Sequence, residues 1–177
     1  MSEATVRYGT SPRVARRRST HALREGITVG LIGAAIVMLW FFIVDLAAGV
    51  PLRTPALLGA ALFDGARYVD ATPTARLVAG YTAVHVLGFV ALGVGVAGLF
   101  ALAEREKRVL ALIFMLGCCL AVVFLAMVYL LSQWLGQAMT PAIVLAGHIL
   151  GAAAMVGALA YFHGSLLRRM PEALDGE

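Results

Sequence analysis

The chain has 177 residues, of which 61% are hydrophobic and 14% charged, with a formal net charge of +4 and a mean hydropathy of +0.89. A soluble globular protein is roughly 45–50% apolar and about 25% charged, so this composition excludes an ordinary soluble domain and indicates an integral membrane protein. The charge is carried by arginines clustered beside apolar stretches, as at a membrane surface, and does not predict nucleic-acid binding.

Residues 1–24 form a basic tail holding Arg7, Arg13, Arg16, Arg17, Arg18 and Arg24. The reading is a disordered topogenic segment on the cytoplasmic side; contact with anionic lipid is the alternative. His21 belongs to this segment and has no partner visible in the sequence. The transmembrane domain follows over 25–168, with four apolar stretches at about 27–50, 77–102, 109–135 and 141–166. Each exceeds the roughly 18 residues that mark a spanning candidate. With no water to satisfy backbone groups in hydrocarbon, every span must be helical. The first is longer than the roughly 7–15-residue core of a cleaved signal, so it is expected to remain as an anchor. A short C-terminal tail, 169–177, completes the chain.

Between the first two spans, Thr54 reads as an N-cap, Pro55 as the first helical position and Gly65 as a stop signal. A short helix over about 55–64 is expected, lying on the outer interface or acting as a lid. "EREKR" (Glu104 to Arg108) joins spans two and three, whereas "GQAMT" before span four is uncharged, so the positive-inside rule puts both termini in the cytoplasm of a bacterial inner membrane. Arg168 and Arg169 agree with that orientation, and the adjacent Cys118 and Cys119 in span three read as packing residues.

"HVLGFVALGVG" (His85 to Gly95) and "HILGAAAMVGA" (His148 to Ala158) share a histidine followed by glycine three places on, pairing Gly88 with Gly151. Spans two and four run in the same direction, so the match reads as two tandem helical hairpins, with small residues for close helix approach. Counted from the inner charges, Asp45, His85, Tyr129 and His148 fall at similar distances along their spans and form a candidate polar layer near the outer edge of the hydrocarbon. Three readings of the layer stand open. In the first, Asp45 pairs with a histidine, Tyr129 completes a hydrogen-bonded belt and no cofactor is bound. In the second, His85 and His148 hold a b-type haem, with Gly88 and Gly151 leaving room for the macrocycle. In the third, His85, His148 and Asp45 ligate a single metal ion.

His163 reads as an interfacial residue, and Trp40, Trp134 and Tyr161 as core or interface aromatics. No phosphate loop, nucleotide fingerprint or nucleophile triad is present, and no charge is repeated through the depth of the bundle as a transporter would require. The expectation is a small four-helix, non-enzymatic membrane protein, an accessory or structural subunit of a larger membrane complex with the lipid bilayer as its other partner. A haem-binding electron-transfer subunit and a mononuclear metal protein are the alternatives.

Overall fold

The computed structural model describes residues 12–65, 71–103, 129 and 140–162. Helix accounts for nearly all of them, in the order α1 (Pro12–Ala47), α2 (Arg53–Phe63), α3 (Ala75–Ala103) and α4 (Pro141–Phe162). Three segments are long and apolar enough to cross a membrane: His21–Ala47 of α1, Ala75–Leu99 of α3 and Pro141–Phe162, the whole of α4. The expected third span, with Cys118, Cys119 and Trp134, lies outside the described residues, as do His163, Arg168 and Arg169.

α1 begins far earlier than the apolar run. Pro12 suits a first turn, where no amide hydrogen is needed, and the Arg- and Ala-rich stretch that follows has high helix propensity. The basic segment from Pro12 onward is therefore helical and continuous with the apolar part, a correction to the disordered reading. His21 pairs with Glu25 one turn on, at 3.1 Å, so the histidine does have a partner. At the other end α1 closes in a Schellman motif. Gly49 takes φ +74°, its N–H bonds the Leu46 carbonyl at 3.0 Å, and the Val50 N–H bonds the Asp45 carbonyl at 2.9 Å. Pro51 then prevents continuation, and the helix ends at Ala47 rather than Val50.

Leu52 follows with φ +64°, a left-handed conformation that costs a branched side chain energy and turns the chain sharply into α2. The helix starts at Arg53, so Thr54 and Pro55 stand at its second and third positions instead of at the cap and the first. α3 starts after Thr74, whose hydroxyl accepts from the Leu77 N–H at 3.4 Å. Pro141 opens α4 as its predicted start requires.

α1 is the hub, packing against both α3 and α4, while α3 and α4 hardly touch among the described residues. Its buried face is the stripe Gly26, Val29, Gly30, Gly33, Ala34, Val37, Phe41 and Asp45, repeating every three or four residues. Gly26 and Gly30 meet α3 at Gly93 and Val94 backbone to backbone: a Cβ at either glycine would collide with main-chain atoms. Close approach of this kind supplies helix association where lipid competes for every apolar contact. On its other flank, Gly33 lies against the Met155 side chain and Gly151 against Val37. The order of these contacts makes α3 and α4 both antiparallel to α1.

Candidate functional site

α2 rests across the end of α1 and α3. Gly59 sits against the Leu77 backbone, Phe63 against Gly80, and Arg76 grips both oxygens of Asp64 at 2.7 Å. The helix buries Thr54, Ala56, Leu57, Leu58, Gly59 and Ala60, so it is docked on the bundle over most of its length.

Its N-terminus is held by Asp45. Leu52 occupies the cap position and has no polar side chain to offer, leaving the first amide groups of α2 in need of acceptors. Arg53 N–H finds the Val50 carbonyl at 3.1 Å and Ala56 N–H the Leu52 carbonyl at 3.2 Å. Thr54 N–H donates to Asp45 Oδ2 and Thr54 Oγ1 donates to Asp45 Oδ1, both at 2.7 Å. Asp45 is 5% exposed and Thr54 6%. Both recorded bonds of the carboxylate go to Thr54, and among the described residues no histidine pairs with it. A carboxylate at a helix N-terminus is favoured twice, by the amide hydrogen bond and by the positive end of the helix dipole.

The two histidines lie along neighbouring stretches of α1. Gly151 opposes Val37 and Gly147 opposes the Trp40 indole, which places His148 beside that stretch of α1. His85 makes a backbone hydrogen bond with Ala34 and lies within electrostatic range of His148. Asp45 stands seven residues beyond Met38, roughly 10 Å further along α1 by helical rise. Tyr129 is 64% exposed.

Each imidazole leans on a backbone carbonyl. His148 Nδ1 lies 2.8 Å from the Val144 carbonyl, and since a carbonyl only accepts, Nδ1 carries the proton. In His85, Nε2 is buried with no hydrogen-bond partner, so Nδ1 makes the Ala34 contact and Nε2 is left with a lone pair. This is the tautomer a metal or haem iron would need. The Phe89 ring lies 4.7 Å from the His85 ring, tilted by 43°, and also packs on the Gly33 and Gly151 faces. Gly88, expected to make room for a macrocycle, has nothing within 4 Å of a Cβ built on it among the described residues. The two matched glycines thus point differently, Gly151 into α1 and Gly88 away from it. Among the described residues no three His, Cys, Asp or Glu side chains gather in a metal-binding group.

Sequence reasoning missed the Asp45–Thr54 clasp, the Gly26–Gly30–Gly93 crossing and the role of Trp40. The Trp40 indole packs over Gly147 and donates to the Ile143 carbonyl at 3.0 Å, tying α1 to the first turn of α4. An unusual run of glycines in span one was the available signal for the crossing. A cleft of about 380 Å³ remains between α1, the start of α2 and α3, lined by Asp45, Thr54, Tyr81, Thr82, His85 and apolar side chains including Phe41 and Phe42.

Among the described residues, fold and site together define an all-helical arrangement in which two membrane-length apolar helices gather on a third, glycine-lined one, with a short helix clasped across one end. No family model matches the chain, and no curated protein or solved structure matches it either.

Proposed function

We propose that this chain is a non-catalytic accessory or structural subunit of a membrane complex, a four-helix bundle in a bacterial inner membrane with both termini in the cytoplasm. One observation carries the reading. Several polar groups that a reaction centre would use are engaged with the backbone: Asp45 with the start of α2, Trp40 with the first turn of α4, and His148 Nδ1 with its own helix. α3 meanwhile keeps Gly88, Gly95 and Gly98 with nothing among the described residues within 4 Å of an added Cβ, on the face between Leu87 and Leu92, which are 68% and 45% exposed. Such a strip suits close approach of a partner helix. The cytoplasmic placement of the termini is supported by the arginines before span one and after span four.

Gly95→Leu tests this, since a Cβ at that position has nothing within 4 Å among the described residues. Purified gently, the wild type should migrate in a larger assembly on a native gel, and the variant should run free with unchanged thermal stability. A wild-type chain that migrates alone would refute the accessory role.

A second reading, haem or a metal ion on His85 and His148, is favoured only by the unpartnered Nε2 of His85. A reduced-minus-oxidised visible spectrum with a b-type band, lost in His85→Ala, would establish it.

A further inference from the structure

We infer that the cleft beside Asp45 is a binding site for an organic ammonium group carried on an apolar tail. The inference rests on the membrane placement proposed above but not on the accessory role. Asp45 is a carboxylate 5% exposed, and among the described residues it has no cationic partner. Its two oxygens can accept about four hydrogen bonds in total, and Thr54 supplies one to each. The α2 N-terminus adds the equivalent of roughly half a positive charge, which leaves the anion incompletely balanced in an apolar setting.

The remainder of the wall says which ligand would balance it. The cleft, about 380 Å³, falls in the size range of small-molecule sites and is lined mainly by apolar side chains. Phe41, Phe42 and Tyr81 bring three aromatic rings to the same cleft as the carboxylate, and ring faces attract a cation while repelling an anion. Leu39 and Phe42, which are 53% and 43% exposed, form the open part of the wall, where a tail could continue into lipid. An ammonium donates to the free lone pairs of Asp45 and adds the missing charge. A neutral alcohol supplies only the first, and a phosphate is repelled. Asp45 lies two residues before the end of α1, a height at which an aminophospholipid headgroup and a free lipophilic amine could both deliver this chemistry.

The full chain is incorporated into nanodiscs of phosphatidylglycerol, and incorporation itself checks the membrane placement independently of binding. Dodecylamine is then titrated calorimetrically, with empty discs subtracted and dodecanol as the uncharged match. Saturable binding of the amine and not of the alcohol is expected. Asp45→Asn keeps an oxygen acceptor for α2 while removing the charge, and should weaken amine binding at least tenfold. Phe42→Leu, outside the buried core, should weaken it about two- to fivefold through loss of one ring face. Added phosphatidylethanolamine that competes with dodecylamine in the wild type identifies the lipid headgroup as the source; no competition identifies a free amine. Equal binding of amine and alcohol, or amine affinity unchanged in both variants, overturns the assignment.

Discussion

Removing the Asp45 carboxylate should release α2 while leaving the rest of the bundle in place. In Asp45→Ala the Thr54 N–H and hydroxyl, now 6% exposed, lose both acceptors. A hydrogen bond to a charged group contributes about 1.5–3 kcal/mol, and the carboxylate's interaction with the helix dipole about 0.3–1 kcal/mol more. Relief from burying the anion offsets part of this, so the net loss is expected at about 2–4 kcal/mol. That corresponds to an increase of about 30-fold to nearly 1,000-fold in the opening equilibrium of α2. Amide hydrogen exchange in detergent reads it directly: the second half of α2 should exchange faster by that factor, while Val29 to Val37 of α1 exchange as before. Thr54→Val keeps the amide bond to Asp45 and loses only the hydroxyl bond to the carboxylate, so its effect should be about 1.5–3 kcal/mol. The double variant should exceed Asp45→Ala by less than that amount, because the hydroxyl bond is already gone. Unchanged exchange across α2 in Asp45→Ala would refute the clasp.

The two glycines that match in sequence should respond oppositely to substitution. Gly151→Leu drives a side chain into Val37 and should cost about 1–3 kcal/mol in reversible unfolding in detergent. Gly88→Leu meets nothing within 4 Å of its Cβ among the described residues and should stay within about 0.5 kcal/mol of wild type. Trp40→Phe keeps most of the ring over Gly147 and removes the bond to Ile143, so about 0.6–1 kcal/mol should be lost in the same assay.

Several features were legible in the chain because their cause is local. Apolar runs long enough to span, Gly65 after α2 and Pro141 at the head of α4 each act through their own backbone or their own transfer free energy. The start of α2 was misread for an instructive reason. Thr54 followed by Pro55 has the composition of a cap, but the acceptor that satisfies the Thr54 amide is nine residues earlier on another helix. A capping signature read within a few residues cannot see it. The glycines of α1 were visible as composition, yet which of them abut α3 and which abut α4 depends on two crossing helices.

The imidazole pair shows the same division. His85 meets α1 at Ala34 and His148 lies beside Val37 to Trp40, neighbouring stretches that linear distance along the helices allows. Rotation about the helix axis is a different coordinate. Phe89 on α3 and Gly151 on α4 are what turn toward α1, while Gly88 turns away, and no count along the chain distinguishes those azimuths. Asp45 was drawn from the imidazole level to the clasp because the turn at Gly49 and Leu52 brings α2 back over its carboxylate.

By itself the sequence determined that the chain is helical and greasy, which stretches of the described helices are apolar enough to span, and which few residues are polar enough to matter. Those properties follow from transfer free energies and backbone sterics summed over neighbours in the chain. Only the tertiary structure decided what each polar residue touches, since hydrogen bonds and steric contacts between helices depend on their mutual rotation and on angstrom-scale approach, which residues far apart in sequence set jointly.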